Sequence, residues 1–422
     1  MGSRHDDVPL LRAARRRSTT RLTALAVAVA LTTVGALFAS VPAGAQATPA
    51  EGAPPEASAR WLQVDAGFLH TCGITTAHRL YCWGFDGGYA LGDGGGRRNR
   101  NAPVEVAGHT TDWAQVSAGY DQTCAVKTDH RLFCWGTDTL GLLGNGPGQQ
   151  DAPAPVEVAG STTDWAQVSA GGATCAVKTT GRLFCWGQDY RGSLGNGGAD
   201  TPAEAPAQVS GNATDWQAVS AGLGHVCAMK VDHRIRCFGD DTFGQVGNDE
   251  ARGSHSTPVA VAGDPTNWAT LATLENHTCA TTQDDRLFCW GHGHFGQLAA
   301  PGQDIADRGT PTEVQRNRTD WGVVSGGGFA HTCATRTSGL LYCWGQTWRA
   351  ALGRKIPYAS QFTPLKVLGF TDWADVTAGL ATTCALRTNG LLYCWGNNEF
   401  GQAGVGSTAR KIVGPTRVAL SA

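Results

Sequence analysis

The chain has 422 residues, a net charge of −2 at pH 7 and only 16% charged residues, with 57 glycines, 14 tryptophans and 14 cysteines. It lacks the basic excess of nucleic-acid-binding proteins, whose affinity comes largely from neutralising phosphates. Abundant glycine and tryptophan with few charges favour an all-β protein with many tight turns over a helical bundle.

The first 47 residues have the pattern of a secretory signal peptide. Arginines precede an apolar run over residues 22–41, and the small-residue stretch VPAGAQATPA follows. This order predicts cleavage after Ala45 or Ala47. An uncleaved membrane anchor remains the alternative, because the run approaches spanning length. Residues 48–60 are expected to form a linker. No later segment is apolar enough to cross a bilayer, so the mature protein is expected to be secreted and extracellular.

From residue 61 onward the sequence repeats. Aligned on their cysteines, the units lie 51–54 residues apart. Each unit offers four short segments rich in Val, Phe and Trp, such as WAQVSA, TCAVKT, RLFCWG and PVEVAG. Repeats of about 50 residues with several short strands are typical of propeller blades. The sequence therefore predicts an all-β fold, a seven-bladed β-propeller over residues 61–422.

The cysteines occur in pairs ten residues apart. The seven pairs are Cys72 and Cys82, Cys124 and Cys134, Cys175 and Cys185, Cys227 and Cys237, Cys279 and Cys289, Cys333 and Cys343, and Cys384 and Cys394. Zinc sites favour a shorter spacing between cysteines, which is absent. Buried free thiols are the other alternative, but an exported chain with an even count of cysteines in register favours disulfides.

The spacing also fits a hairpin. Pairing Cys124 with Cys134 leaves the three-residue loop 128–130, whose last residue usually has a positive φ. That place is held by His78, His130, Gly181, His233, Asp285, Gly339 and Gly390. Counting outward, the cysteines reach a non-hydrogen-bonded antiparallel pair with Cα atoms roughly 4.5 Å apart, within reach of a disulfide. Each pair is therefore predicted to staple its own hairpin.

The two ends of the repeat array suggest how the ring closes. The motif P-x-x-V occurs seven times, but none precedes Trp61, and the last copy, PTRVAL, has no tryptophan after it. We therefore expect the C-terminal strand, residues 416–420, to close the ring by supplying the missing strand of the first blade, which would remove open sheet edges.

The unit H-T-C-A-x-K-T-x-G-R-L-x-C-W-G-x-N-x-x-G-Q-L-G resembles the repeat of the regulator of chromosome condensation family over residues 61–420. The resemblance implies a seven-bladed propeller. The family includes a nuclear exchange factor for a small GTPase, a plant ultraviolet-B photoreceptor and secreted propeller-type β-lactamase inhibitor proteins, which are the closest in setting. Export and cysteine pairing disfavour the exchange role, and the photoreceptor loop G-W-R-H-T is absent. The chain departs from the pattern at Phe238 and at Ala299, where Trp and Gly are expected.

Alternating strand direction sorts the loops onto two faces. The inner loop after W-x-x-V-S-A and the connector after C-W-G share one face, which carries the variable residues. The predicted binding residues of the inner loops are Phe68, Leu69, Tyr120, Asp121, Leu223, Glu275, Asn276, Phe329 and Leu380. The connectors add Tyr190, Phe243, Phe295, Trp348 and Phe400. Aromatic residues on a rigid platform are typical of binding hot spots, and the resemblance implies that inhibitor propellers use this inner loop. The alternative is that these side chains pack beneath the connectors.

The remaining aromatic and histidine residues are assigned to structure. The tryptophans of the strands are expected to pack between blades. Histidines precede the first cysteine in four units, at His70, His225, His277 and His331; a hydrogen bond within the same blade is expected for each. His292 and His294 form a pair with no third ligand in sequence reach. No metal site and no cofactor are predicted.

No catalytic motif such as G-x-S-x-G or H-E-x-x-H occurs, so the chain is not expected to be an enzyme. The leading hypothesis is a secreted, monomeric, disulfide-stapled propeller that binds an extracellular protein through its variable face, with inhibition of an extracellular enzyme as one form of that binding. A cell-envelope or carbohydrate-binding module and an enzyme with a site dispersed over several blades are the alternatives. No nucleic-acid partner is expected.

Overall fold

The computed structural model describes residues 59–420, apart from residues 149, 199, 251, 328–329 and 358–359. The predicted signal peptide and nearly all of the predicted linker lie outside the described residues. The described strands form seven four-stranded sheets, and each sheet is built from four consecutive antiparallel strands. No helix within this part of the chain is both long and apolar enough to span a membrane. The predicted seven-bladed all-β propeller is confirmed.

Each repeat forms one blade, numbered one to seven in chain order. The strands are β1 (Trp61–Ala66), β2 (His70–Thr75), β3 (Leu80–Gly84) and β4 (Arg100–Glu105); β5 (Trp113–Ala118), β6 (Gln122–Lys127), β7 (Leu132–Gly136) and β8 (Ala152–Glu157); β9 (Trp165–Ala170), β10 (Ala173–Lys178), β11 (Leu183–Gly187) and β12 (Ala203–Gln208); β13 (Trp216–Ala221), β14 (His225–Lys230), β15 (Ile235–Asp240) and β16 (Ser254–Ala260); β17 (Trp268–Thr273), β18 (His277–Thr282), β19 (Leu287–Gly291) and β20 (Arg308–Glu313); β21 (Trp321–Gly327), β22 (His331–Arg336), β23 (Leu341–Gln346) and β24 (Ser360–Lys366); β25 (Trp373–Ala378), β26 (Thr382–Arg387), β27 (Leu392–Asn397) and β28 (Lys411–Arg417). Short 3-10 turns occur at Thr139–Gly141, Tyr190–Gly192, Pro301–Gln303 and Trp348–Ala350.

The hairpin between the second and third strands of each blade has the predicted register. Cys124 lies opposite Cys134, and His130 at the end of the loop has a φ of 65°. The corresponding residue has a positive φ in all seven blades. All seven predicted disulfides are present, with Cα atoms 4.0–4.1 Å apart. The predicted disulfide pairing is therefore confirmed. It arises because the turn places the two cysteines of each hairpin opposite one another.

The C-terminal segment closes the ring, but not by completing the first sheet. Strand β28 pairs with β27 as the outer strand of blade seven, and blade one has its own outer strand, β4. Instead, Val418 and Leu420 pack against Trp61 of blade one in a shared apolar cluster. The predicted strand exchange is therefore wrong, because each P-x-x-V segment pairs with the third strand of its own repeat. The junction is closed by this side-chain packing together with hydrogen bonds between the two blades, such as that from the amide of Trp61 to the carbonyl of Gly390 at 2.8 Å.

Tryptophans fill the spaces between blades, as predicted. Trp113 of blade two lies in one apolar cluster with Ile74, Leu80 and Leu91 of blade one. Thirteen of the 14 tryptophans are buried, and the exception, Trp348, lies in a connector.

At six of the seven junctions, a carbonyl in the connector of one blade accepts hydrogen bonds from the next blade. The Ala90 carbonyl accepts hydrogen bonds from Thr123 Oγ1 at 2.7 Å and Trp135 Nε1 at 3.0 Å. The same pair of bonds recurs at the carbonyls of Leu142, Gln245, Gln297, Ala351 and Gln402. Val226 and Phe238 replace the two donors in blade four, so the junction of blades three and four lacks this link.

The four histidines also connect neighbouring blades, which corrects the expectation of a bond within one blade. His70 Nε2 lies 2.8 Å from Thr123 Oγ1 of the next blade. His225, His277 and His331 contact Thr278, Thr332 and Thr383 in the same way at 2.8–3.0 Å. The histidine of one repeat faces the threonine of the following repeat because the inner ends of adjacent blades converge.

Asp65 is a further junction residue. Its buried carboxylate accepts hydrogen bonds from the amide of Ala118 at 3.0 Å and from Thr377 Oγ1 at 3.1 Å, so it joins blades two and seven to blade one. Serine takes this position in the next three blades; Ser117 Oγ, for example, accepts the amide of Ala170.

The connector link can be tested with the substitution that blade four carries naturally. We expect Thr174→Val combined with Trp186→Phe to lower the free energy of unfolding by about 2–3 kcal/mol, because the Leu142 carbonyl would lose both donors. Urea denaturation measures the change. The control Thr174→Ser keeps a hydroxyl donor and should show less than half of the loss. An equal loss in the control would show that packing, rather than hydrogen bonding, is responsible.

Candidate functional site

Two sets of loops share one face of the ring, here called the loop face. Inner loops join the first and second strands of each blade, and connectors join the third and fourth strands. The two sets touch: the amide of Thr137 in a connector donates to the carbonyl of Asp121 in an inner loop at 2.9 Å. The opposite face, here called the turn face, carries the cysteine hairpin turns and the loops between blades. The predicted division of the loops is therefore observed.

The inner loops hydrogen-bond to one another around the ring. The amide of Phe68 donates to the carbonyl of Gly119 at 3.0 Å, and the amide of Leu380 donates to the carbonyl of Phe68 at 3.1 Å. The ring of Phe68 stacks on Tyr120 with centroids 5.5 Å apart and planes 8° apart. These contacts give the inner loops a fixed backbone on which side chains differ from blade to blade.

The predicted inner-loop residues differ in exposure. Phe68 and Leu380 are only 8% and 7% exposed, so they support the loop face from beneath. Phe329 lies outside the described residues. The other six are half-buried on the loop face: Leu69, Tyr120, Asp121, Leu223, Glu275 and Asn276. Whether these residues bind a partner remains a prediction.

The connectors carry the most exposed apolar groups of the loop face. Tyr190 and Phe295 are 39% and 38% exposed. Phe243 and Phe400 are less exposed because they pack on the following blade, against His292 and Phe85 respectively.

Sequence reasoning missed Leu140 and Ile305, which are exposed in the connectors of blades two and five. Leu140 has a φ of 57°, which positions its side chain at the tip of a tight turn. A bulky residue with positive φ is uncommon. The only sign of Leu140 in the sequence was its position beside Gly141 in a turn. The positive φ of Leu140 is known only from the structure.

Buried carboxylates shape the connectors. Asp86 Oδ1 accepts the amide of Leu91 at 3.2 Å, and Asp138 and Asp241 make the same contact with residues five positions later. Burial raises the pKa of Asp86, of Asp138 and of Asp241, while these amide hydrogen bonds oppose the rise. Each of the three groups therefore fixes the backbone of its own connector through at least one carboxylate oxygen.

Burial lowers the pKa of His70 and of His225 to about 3. Both rings are therefore neutral at physiological pH, and each already contacts a threonine in the next blade. His70 and His225 therefore act as neutral hydrogen-bonding groups between neighbouring blades.

Asp307 lies beside the His292 and His294 pair, which corrects the expectation that no third ligand was available. The ligand atoms of the three side chains all lie within 4.8 Å of one another. Gln297 Nε2 donates to His292 Nδ1 at 3.0 Å, which leaves the proton on Nε2 to donate to His294 Nδ1 at 2.9 Å. Asp307 accepts the amide of Gly293. A hydrogen bond already joins the two histidines, and the absence of a metal remains a prediction.

Comparison with known families identifies the repeat. Two models, both described as the regulator of chromosome condensation (RCC1) repeat, match residues 61–89, 113–141, 216–245, 275–297 and 373–402, and residues 77–126, 129–177 and 180–229. Together they cover more than half of the chain. The chain belongs to the RCC1 repeat family. Blade six, whose inner loop lies partly outside the described residues, contains none of these matches, yet it has the same four strands and disulfide.

Relatives within the family are distant. The chain is 28% identical to the ultraviolet-B receptor UVR8 of Arabidopsis thaliana over 69% of its own length and 67% of the receptor. It is 23% identical to the human E3 ubiquitin-protein ligase HERC2 over 79% of its length, but it spans only 7% of that protein. It also spans only 35% of the Xenopus laevis serine/threonine-protein kinase Nek9.

Solved structures show the same fold. The chain superposes on yeast RCC1 (Prp20), solved with Kap60 bound, with a TM-score of 0.71 at 18% identity, covering 86% of this chain and 84% of that one. Human WBSCR16 gives a TM-score of 0.70 at 20% identity, covering 81% and 94%.

Proposed function

We propose that the protein is a secreted, disulfide-stapled propeller that binds another protein through its loop face and carries out no chemistry itself. The observation that carries the proposal is the concentration of exposed apolar side chains in the connectors, at Leu140, Tyr190, Phe295 and Ile305. Buried aromatic and apolar anchors supply most of the binding energy of protein interfaces. The four residues differ between repeats, which suits one asymmetric partner.

Secretion is supported by the cysteines. Within the described residues all cysteines are bonded and none is free. Disulfide bonds persist in oxidising compartments and are rare in cytosolic proteins. Together with the signal-like segment at residues 1–47, the bonded cysteines support an extracellular location for a mature chain that begins near residue 48.

Related propellers support a protein partner. Yeast RCC1 was solved with Kap60 bound, and a second structure of Prp20p is described with its binding properties to Gsp1p and histones. For this chain the compartment points to an extracellular partner. Inhibition of a secreted enzyme is the form of binding that the resemblance to β-lactamase inhibitor propellers suggests.

The test compares the two faces. The oxidised chain from residue 48 is immobilised and offered secreted enzymes, including β-lactamases, with binding and inhibition measured for each. For an enzyme that binds, Tyr190→Ala with Phe295→Ala should weaken affinity by about tenfold or more, as expected for hot-spot residues. Tyr120→Ala and Phe329→Ala test the inner loops.

The matched control is Val231→Ala with Leu368→Ala, which removes two exposed apolar residues from the turn face. Its affinity should stay within about twofold of the wild type, since hot-spot losses exceed this. Equal weakening by both variants, or no weakening by either, would reject the loop face as the binding surface.

A cell-envelope or carbohydrate-binding module is the second candidate, favoured by the exposed rings of Tyr190 and Phe295. Cell-wall polymers are therefore included among the immobilised-protein assays. Retention on a polymer that is lost in the double variant Tyr190→Ala and Phe295→Ala, with no enzyme bound, would support this candidate over the first.

A further inference from the structure

A cavity of about 640 Å³ opens on the loop face between blades six and seven. One wall is the connector of blade six, with Trp348, Arg349, Arg354 and Lys355, and the other wall is the start of β28, with Lys411. The volume is within the range of ligand-binding clefts. Trp348 is the one tryptophan that leaves the propeller core to line this cavity.

The lining of the cavity is strongly basic in a chain whose net charge is slightly negative. Arg349 pairs with Glu399 at 3.1 Å, and Arg410, which also lines the cavity, lies 3.8 Å from the same carboxylate. Among the described residues, Arg354, Lys355 and Lys411 have no carboxylate partner. Five cations therefore share one described acidic group, and the cavity carries uncompensated positive charge.

The connector of blade six lacks the aspartate that four other connectors carry at one position, and blade five has Gly293 there. In five connectors, a side-chain oxygen accepts the amide of the residue five positions later at 2.8–3.2 Å; the acceptors are Asp86, Asp138, Asp189, Asp241 and Asn398. Thr347 stands at this place in blade six, and its hydroxyl donates to the carbonyl of Pro357. No described carboxylate reaches the amide of Leu352, so an acidic group is absent where the connector is most basic.

The backbone of this wall is held in an uncommon conformation. Arg349 and Ala350 are consecutive non-glycine residues with φ of 56° and 65°. Such residues are strained, and they cluster at functional sites. The conformation keeps the Arg349 guanidinium beside the ring of Trp348, with 5.0 Å between the guanidinium carbon and the ring centroid.

We infer that this cavity binds an acidic segment of the protein partner, whose carboxylates pair with the arginine and lysine side chains of the lining. The inference rests on the proposed function, because it assigns one end of the loop face to a definite chemistry. Guanidinium groups form bidentate hydrogen bonds with carboxylates. Arginine and tryptophan are also enriched in interface hot spots. The mixed arginine and aromatic lining favours a peptide over a phosphate or sulfate polymer.

The probe is a fluorescein-labelled octaglutamate peptide, added to the oxidised chain from residue 48 at low salt, with octaglutamine as the uncharged reference. Fluorescence anisotropy should show saturable binding of octaglutamate only. Lys355→Glu with Lys411→Glu, which reverses one exposed charge on each wall, should weaken this binding by about tenfold or more. Trp348→Ala should also weaken it.

The control Arg182→Glu with Arg316→Glu makes the same charge change at exposed positions of the turn face. Its affinity for octaglutamate should change by less than about twofold if the cavity is the site. No binding of the peptide, or equal weakening by the control, overturns the inference. Heparin or polyphosphate binding at the cavity that octaglutamate cannot displace also overturns it, in favour of a polymer ligand.

The outcome can be separated from that of the proposed function. If Tyr190→Ala with Phe295→Ala releases a protein partner while octaglutamate never binds, the loop face remains the binding surface and the acidic-segment inference fails. If octaglutamate binds at the cavity but no protein partner depends on the connector residues, the proposed function fails and the anionic site remains.

Discussion

Breaking the disulfides is expected to unfold the propeller or to bring it close to unfolding. Each bridge closes a hairpin loop of about 11 residues, which corresponds to about 2.7 kcal/mol of stabilisation in the chain-entropy model. Native proteins are stable by only about 5–15 kcal/mol, so the loss of several bridges exceeds what most domains tolerate. Circular dichroism and urea denaturation, with and without a reductant, measure the effect.

A single bridge gives a quantitative version of this prediction. Cys124→Ala with Cys134→Ala should lower the free energy of unfolding by about 2–3 kcal/mol, because the bridge lies within one blade and its neighbours remain stapled. Non-reducing peptide mapping is the control, since each of the six remaining bonds should join cysteines of the same blade. Bonds between different blades, or free thiols in the native chain, would contradict the hairpin assignment.

The second large effect is expected on mild acidification. Burial lowers the pKa of His70 and of His225 to about 3, and it lowers the pKa of His277 well below its usual value. Since the unfolded chain takes up protons below about pH 6.5, stability is complete above that pH and falls as the pH moves toward 3. At pH 5, His70 and His225 should each have removed about 2 kcal/mol of stability.

The repeat itself supplies a matched variant for this test. Blade two has Gln122 in place of the histidine, and its side chain donates to the carbonyl of Gly171 of the next blade at 2.8 Å. His70→Gln with His225→Gln should therefore fold, and it should lose about 4 kcal/mol less than the wild type between pH 7 and pH 5. Chemical denaturation at the two pH values measures this difference. If the variant and the wild type lose the same free energy of unfolding between pH 7 and pH 5, the histidines are not the groups responsible.

This pH window separates the histidines from surface carboxylates. The hydrogen bond from Arg387 lowers the pKa of Asp372, so the stabilisation from that pair is present above about pH 4 and is lost only as the pH falls further. Comparing the variant with the wild type between pH 7 and pH 5 therefore isolates the buried rings.

The predictions from sequence were most accurate within a single hairpin. Cys124 and Cys134, the loop ending at His130 and the strands around them are ten residues apart or fewer, so turn geometry fixes their contacts. Predictions across repeats were weaker. The assignment of His70 to a partner in its own blade failed because its partner, Thr123, is 53 residues away. The C-terminal strand was assigned to blade one, whereas it pairs with β27 of its own repeat.

The site shows the same limit. The alternation of strand direction was enough to place the inner loops and connectors on one face. It could not show that Phe68 and Leu380 are covered by neighbouring loops, or that Leu140 and Ile305 are exposed. Those outcomes depend on how loops from adjacent blades pack, which a single repeat does not encode.

The amino-acid sequence by itself determined the number of blades, the four strand segments of each repeat and the pairing of all 14 cysteines, because these depend on local spacing and on turns. The tertiary structure alone decided which groups meet across blade junctions: the histidines with threonines of the next blade, and the basic residues of the connector of blade six with those of β28. It also brought Asp307 to the two histidines of its own connector. The physical reason is ring geometry, since closure of seven blades sets the distance and angle between neighbouring repeats and so determines which side chains converge.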